Sequence, residues 1–222
     1  MDKRYAIFDL DGTLLNTLDD LMDSTNYILR QSNFPERTKD EIRRFVGNGL
    51  RKLVERAIPK EYNNDNLLID KLYDDLGKYY KENADIKTSP YPGTLEMLDE
   101  LMANNFEIAI VSNKIDPAVK ELSNEYFGNR IKSAIGEKSN IRHKPEPDMV
   151  IKAMEELNAT KKNSVYIGDS EVDIQTAANV GISCISVLWG FRDKKFLEKS
   201  GGNIFVDSMK NLTEKLIKFP NI

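Results

Sequence analysis

The chain has 222 residues, of which 40% are hydrophobic and 31% are charged. A chain of this length and composition builds one substantial core with at most one accessory domain, and a disordered protein is excluded. The formal net charge of −4 comes from 32 basic and 36 acidic residues scattered along the chain. This distribution predicts a small-molecule ligand and no dedicated nucleic-acid surface.

The first residues indicate a cytoplasmic protein. Met1 to Arg4 lead directly into a strand-like segment without the apolar region of a signal peptide. No run of about 18 apolar residues is present to span a membrane. We therefore expect no membrane partner, and a monomer or a homodimer.

The first predicted strand is the apolar run at residues 5–8, which ends abruptly in Asp9-Leu10-Asp11-Gly12. Similar runs recur at 107–111, 164–167, 183–187 and 203–206. Helical patterns, such as Leu95, Leu98 and Leu101, lie between them. Strands that alternate with helices predict an α/β fold with a doubly wound parallel sheet.

Residues 16–87 differ because their apolar spacing is helical throughout. Thr17 with Asp20, and Thr38 with Glu41, resemble capping boxes at two helix starts. The pattern predicts an α-helical cap domain at 16–87, inserted into a catalytic core domain formed by 1–15 and 88–222.

Four polar segments follow predicted strands or lie between them. Because ligands of doubly wound sheets bind beyond the carboxyl ends of the strands, we expect these segments to lie close together. They are Asp9-Leu10-Asp11-Gly12-Thr13, Ser112-Asn113-Lys114, Lys144-Pro145 and Gly168-Asp169-Ser170-Glu171-Val172-Asp173.

In their order and spacing, the four segments resemble the motifs of the haloacid dehalogenase-like superfamily. That resemblance implies a Rossmann-like core with an inserted cap, and a phosphatase mechanism. Asp9 would attack phosphorus and form an aspartyl phosphate. Asp11 would protonate the leaving oxygen and later deprotonate the hydrolytic water. Repulsion between neighbouring carboxylates raises one carboxyl pKa, as a group that serves as both acid and base requires.

The resemblance also implies a Mg²⁺ site, since several acids beside a phosphoryl dianion require a cation and hard oxygen ligands suit Mg²⁺. The ligands would be the side chains of Asp9 and Asp169 and the main-chain oxygen of Asp11, with Asp173 one shell further out. Lys144 would hold Asp9 and the phosphoryl oxygens as a point charge.

Further residues of the motifs are candidates for contact with the phosphoryl group. Ser112 and the Asn113 amide would donate hydrogen bonds to it. Gly12 and Thr13 complete the first motif beside it. Lys114 is a further candidate, facing either the substrate or the cap.

Several phrases are most similar to the phosphoglycolate phosphatase branch, which predicts a small phosphorylated metabolite as substrate. They are Gly47-Asn48-Gly49-Leu50, Pro90-Tyr91-Pro92-Gly93, Ser112-Asn113-Lys114 and Leu188-Trp189-Gly190-Phe191. Dehalogenating relatives lack an acid at the position of Asp11, and mutase relatives carry a histidine motif in the cap, which is absent from 16–87. A pyrophosphatase or nucleotidase, and a non-catalytic phospho-acceptor or binding protein, remain alternatives.

Arg51 carries a hypothesis about specificity. It lies in the first turn of the helix predicted after Gly47-Asn48-Gly49, where free backbone N–H groups attract anions. If the cap closes over the phosphate crevice, Arg51 would meet the carboxylate of a substrate such as 2-phosphoglycolate. The alternative is a tight turn followed by a solvated arginine.

Overall fold

A computed structural model describes residues 3–219 of the chain. Within them, six strands form one parallel sheet in the order β5-β4-β1-β6-β7-β8. The strands of this sheet are β1 (Arg4–Phe8), β4 (Phe106–Ile115), β5 (Ser133–Glu137), β6 (Ser164–Gly168), β7 (Ser183–Val187) and β8 (Phe205–Val206). A separate two-stranded sheet pairs β2 (Leu15–Asn16) with β3 (Ser89–Pro90).

Ten α-helices accompany the strands within the described part of the chain. They are α1 (Leu18–Gln31), α2 (Lys39–Phe45), α3 (Gly49–Ala57), α4 (Asn66–Asn83), α5 (Thr94–Ala103), α6 (Asp116–Phe127), α7 (Asp148–Leu157), α8 (Glu171–Val180), α9 (Lys194–Lys199) and α10 (Met209–Ile217). None of them is long and apolar enough to cross a bilayer.

Both faces of the six-stranded sheet are buried, and β1 shows why. Ala6 and Phe8 point into one apolar cluster, and Tyr5 and Ile7 point into the other. The first cluster contains residues of α5, α6 and α10, and the second contains residues of α7 and α8. Because side chains alternate along a strand, an apolar run without polar breaks requires a cover on each face. The predicted doubly wound fold is confirmed.

The chain divides into two compact units. One comprises Met1–Leu15 and Pro90–Ile222, and contains the six-stranded sheet. The other is Asn16–Ser89 and contains α1 to α4. The first two residues of the chain, part of the basis for the expected cytoplasmic location, lie outside the described residues.

One predicted capping box is present and the other is wrong. Thr38 accepts from the Glu41 amide, and the Glu41 carboxylate accepts from the Thr38 amide. Thr17, in contrast, makes no capping hydrogen bond at the start of α1. Asp20 instead accepts from the backbone of residues 87 and 88, at 2.8–3.0 Å. The acid thus ties the end of the helical unit to its first helix.

Two features of the sheet differ from the predicted strands. β5 has no counterpart among the apolar runs, because its five residues are Ser-Ala-Ile-Gly-Glu and it lies at an edge of the sheet. β4 does not stop at Val111. It continues through Ser112-Asn113-Lys114 to Ile115, with a register shift against β5 between Val111 and Ile115. The second motif therefore lies within a strand.

Candidate active site

The loop after β1 carries both acids of the first motif. Asp9 is 8% exposed, and its backbone N–H donates to the carbonyl of Ile167 on β6. Gly12 has a φ of 86°, and a Cβ there would lie 2.5 Å from Asp169 Oδ2. The glycine is therefore required both for the turn and for the approach of Asp169 to this loop.

Lys144 is buried at the base of the site. Its Nζ donates to Asp9 Oδ1 at 2.8 Å, to Asp173 Oδ1 at 2.8 Å and to the Tyr166 hydroxyl at 3.0 Å. Burial alone would lower the pKa of Lys144, but Asp173 and Asp9 raise it well above its ordinary value. Lys144 is therefore a permanent ammonium that orients the Asp9 carboxylate.

Asp173 lies in the first turn of α8, and both of its oxygens are engaged. Oδ1 accepts from Lys144 and Tyr166, and Oδ2 accepts from the backbone and the hydroxyl of Ser170. Ser170 and Asp173 thus form a capping box at the start of the helix. The predicted place of Asp173, one shell out from the metal, stays a prediction.

Asp169 precedes that helix and is held by groups from two loops. Its Oδ2 accepts from the Phe191 amide at 2.7 Å, and Thr13 Oγ1 lies 3.4 Å from Oδ1. A Cβ on Gly190 would collide with the Asp169 side chain. Burial raises the pKa of Asp169 well above its ordinary value, as do the charges of Asp173 and Asp9.

The residues present fit a divalent cation. Asp9, Asp169 and Asp173 are buried, and each offers a carboxylate oxygen that lies within 4.8 Å of the other two. Burial raises the pKa of Asp9 to about 7, although Lys144 opposes the shift. Raised pKa values at two carboxyl groups of one buried cluster mean that the protein supplies too little positive charge there to stabilise both carboxylates. A hard cation with oxygen ligands supplies that charge.

The three residues of the second motif form hydrogen bonds with different partners. The Asn113 side chain donates to the Lys144 carbonyl at 3.0 Å and accepts from the Lys144 amide at 2.9 Å. Ser112 Oγ accepts from the Lys114 amide at 3.2 Å. Lys114 Nζ donates to both oxygens of Asp11, at 3.0 and 3.3 Å. Asn113 thus fixes the loop that presents Lys144, while Lys114 contacts the second acid of the first motif.

Arg51 lies in the helical unit and was predicted to bind an anion. There its guanidinium pairs with Asp70 and, at 3.4 Å, with Glu55 of the same helix. Its side chain is 42% exposed. Two acids of the same unit thus compete for the charge, and the anion-binding role stays a prediction.

The structure also places residues in the site that the motifs did not indicate. Tyr166, fully buried on β6, contacts Lys144 and Asp173 through its hydroxyl. Burial raises the pKa of this phenol well above its usual range, so it remains neutral. Trp189, which lies in the loop after β7, donates from Nε1 to the Thr13 carbonyl at 3.1 Å. Because Tyr166 lies in an apolar segment, its polar contacts are not indicated by the sequence. The phrase Leu188-Trp189-Gly190-Phe191, in contrast, could have indicated that the loop after β7 belongs to the site.

Comparison with known proteins identifies the family of the chain. A family model described as haloacid dehalogenase-like hydrolase matches residues 6–187. The phosphoglycolate phosphatase of Psychrobacter arcticus is 31% identical over 225 residues, covering 98% of this chain and 97% of the relative. That of Agrobacterium fabrum is 30% identical over 216 residues, covering 96% and 92%.

A solved structure is similar over the same extent. It is that of a provisionally assigned phosphoglycolate phosphatase from Lactobacillus delbrueckii subsp. bulgaricus. It has a TM-score of 0.92 and 35% identity, and the match covers 98% of this chain and 100% of that one. The resemblance predicted from the four motifs is confirmed, and this chain belongs to the haloacid dehalogenase-like hydrolase family.

Proposed function

We propose that this hydrolase is a Mg²⁺-dependent phosphatase that cleaves a small phosphate monoester through an aspartyl phosphate on Asp9. The observation that carries the proposal is the environment of the Asp9 carboxylate. Oδ1 is held by Lys144, and among the described residues no hydrogen bond goes to Oδ2. An oriented carboxylate with one uncommitted oxygen suits a nucleophile.

The proposed reaction has two steps. Asp9 attacks phosphorus, and the bond from phosphorus to the leaving oxygen breaks as Asp11 gives that oxygen a proton. Water then attacks the same phosphorus and passes its proton to Asp11, and the bond from phosphorus to Asp9 breaks. Inorganic phosphate leaves, and both acids return to their starting states.

A Mg²⁺ ion held by Asp9, Asp169 and the main chain of Asp11 would offset the repulsion between the carboxylates and the phosphoryl oxygens. Lys144 adds a fixed positive charge beside Asp9. Ser112 and the Asn113 amide, in this proposal, donate to the phosphoryl oxygens.

The substrate we propose is 2-phosphoglycolate or a close analogue. The support is the set of phosphoglycolate phosphatases that match this chain over nearly its whole length. Four phrases distributed over both units also carry the pattern of that branch. Pyrophosphate and nucleoside monophosphates are the competing substrates to include in any assay.

The test is phosphate release from purified protein with Mg²⁺. We expect turnover of 2-phosphoglycolate, and loss of at least about a thousandfold in kcat for Asp9→Asn, since the amide is not a nucleophile. Circular dichroism checks that the variant folds. Asp85→Asn, which replaces an exposed aspartate of the helical unit, is the matched control and should keep full activity.

Excess EDTA should stop wild-type turnover, and added Mg²⁺ should restore it. Activity of Asp9→Asn above a few per cent of wild type would exclude covalent catalysis by this residue. If the enzyme hydrolyses pyrophosphate or a nucleotide faster than 2-phosphoglycolate, the proposed substrate is wrong but the proposed mechanism stands.

A further inference from the structure

Lys114 makes an ion pair that the proposed roles of the motif residues do not explain. Its side chain is 3% exposed, and its Nζ spans both oxygens of Asp11, at 3.0 and 3.3 Å. Among the described residues, these are the hydrogen bonds to the Asp11 carboxylate, which is itself 19% exposed. One buried ammonium therefore sets the direction of this carboxylate.

The segment at Lys114 and the residues after it pack closely against β5. Lys114 belongs to the part of β4 that extends beyond Val111, where Ile115 pairs with Glu137 of β5. Asp116 accepts from the Gly136 amide at 3.1 Å, and a Cβ on Gly136 would lie 2.6 Å from the Lys114 carbonyl oxygen. The close approach of the two strands thus anchors the lysine that contacts Asp11.

The two buried lysines of the site serve different acids. Lys144 contacts Asp9 and Asp173, whereas Lys114 contacts Asp11. Asp11 is also absent from the group of carboxylates that converge for a metal among the described residues. The nucleophile and the second acid are therefore contacted by two different lysines.

We propose that Lys114 is the positioning residue for Asp11, holding its carboxyl group where it exchanges protons with the leaving oxygen and with the hydrolytic water. This inference rests on the proposed phosphatase reaction. It differs from the predicted contact of Lys114 with the substrate, because Lys114 acts here through Asp11.

The proposal has a consequence that depends on the leaving group. An alkyl phosphate needs a proton from Asp11 as its ester bond breaks. A 2,4-dinitrophenolate leaves without one, so Asp9 can still take the phosphoryl group when Asp11 is displaced. Hydrolysis of the aspartyl phosphate requires Asp11 again, because water must lose a proton as it attacks phosphorus. Displacement of Asp11 should therefore trap the enzyme after its first step.

The experiment compares wild type, Lys114→Met and Lys114→Arg on 2-phosphoglycolate and 2,4-dinitrophenyl phosphate with saturating Mg²⁺. For Lys114→Met we expect the single-turnover rate with 2-phosphoglycolate to fall about 100-fold, the lower end for lost acid–base catalysis. With the dinitrophenyl ester it should fall less than about tenfold. A burst of close to one dinitrophenol per site, followed by slow turnover, should appear.

Lys114→Arg should recover most of the alkyl-ester rate, because its charge can still contact Asp11. Lys152→Met removes an exposed lysine of α7 that pairs with Glu155 of the same helix, and it should behave as wild type on both esters. If Lys114→Met does not fold, Lys114→Gln takes its place in the same comparison.

Equal losses on the two esters without a burst would mean a structural role and overturn the inference. A raised KM for 2-phosphoglycolate with unchanged kcat would instead place Lys114 on the substrate, and would also overturn it. Wild-type protein that hydrolyses no ester would overturn the proposed function, which distinguishes that failure from failure of the inference alone.

Discussion

At the scale of single residues, the site concentrates negative charge that the protein only partly offsets. Asp9, Asp169 and Asp173 share one buried cluster, and Lys144 is the cation in contact with two of them. Burial and the neighbouring carboxylates raise the pKa of both Asp9 and Asp169. Without a metal, the fold therefore carries an electrostatic cost at neutral pH that a cation bound among these carboxylates would remove.

This cost predicts how stability depends on pH. In the metal-free protein, folding raises the pKa of Asp9 from 3.8 to about 7. The folded state thus keeps a proton that the unfolded chain releases, so the associated stability is complete below 3.8 and is lost as pH rises to about 7. Between those values, the unfolding free energy of wild type should fall relative to Asp9→Asn, by about 4 kcal/mol at most.

The measurement is urea unfolding in EDTA at a series of pH values. Saturating Mg²⁺ should abolish most of the decrease in the unfolding free energy, since it binds the ionised carboxylates of the folded state. Asp85→Asn, with its exposed carboxylate, should keep the wild-type profile. Parallel profiles for wild type and Asp9→Asn would contradict the raised pKa.

At the scale of elements, the site is held by the loop after β7. Within residues 189–191, Trp189 donates to the Thr13 carbonyl and Phe191 donates to Asp169. Gly190 lies between them, and a Cβ there would be 2.5 Å from the Gly12 carbonyl oxygen and would collide with Asp169. The loop thus sets the distance between the first and fourth motifs, as the outer contacts of a metal site do.

Gly190→Ala should therefore displace Asp169 and weaken Mg²⁺ binding. We expect the affinity to fall by about 10- to 100-fold, which is the usual effect of losing a group that orients a metal ligand. Isothermal titration calorimetry measures the affinity without substrate. Gly77→Ala is the matched control, because the glycine is in α4 with no atom near its added Cβ. It should leave Mg²⁺ affinity unchanged and stabilise the fold by about 0.5–1 kcal/mol. Unchanged affinity in Gly190→Ala would show that the loop does not position the ligand.

At the scale of the whole molecule, chemistry and proposed specificity belong to different units. The acids and lysines of the site lie in the unit with the six-stranded sheet, whereas Arg51 lies in the helical unit. In that unit Arg51 is paired with Asp70 and Glu55. A substrate carboxylate would have to compete with those acids for the guanidinium.

Arg51→Ala should lower kcat/KM for 2-phosphoglycolate about tenfold more than for an ester of similar size without a carboxylate. One lost charge-assisted hydrogen bond is worth about 1.5–3 kcal/mol, and about 1.4 kcal/mol corresponds to tenfold. Lys52→Ala, which removes an exposed cation from the same helix, should not discriminate. An equal effect of Arg51→Ala on both esters would reject Arg51 as the carboxylate ligand.

The sequence by itself determined the fold class and the order of the four motifs, because apolar periodicity and motif spacing are local properties of the chain. It also indicated the helical insertion, through the change from alternating elements to helices only. It did not reveal β5, whose edge position needs few apolar residues.

Only the tertiary structure decided which groups contact one another across the site. Lys114 meets Asp11 across 103 residues, and Trp189 meets Thr13 across 176. Thr17 and Asp20 have the spacing of a capping box, yet Asp20 accepts a hydrogen bond from the backbone N–H of residue 87 instead. Local patterns specify which residues can form an interaction, but packing selects the partner, because most buried donors and acceptors bond to whichever group the fold brings within reach.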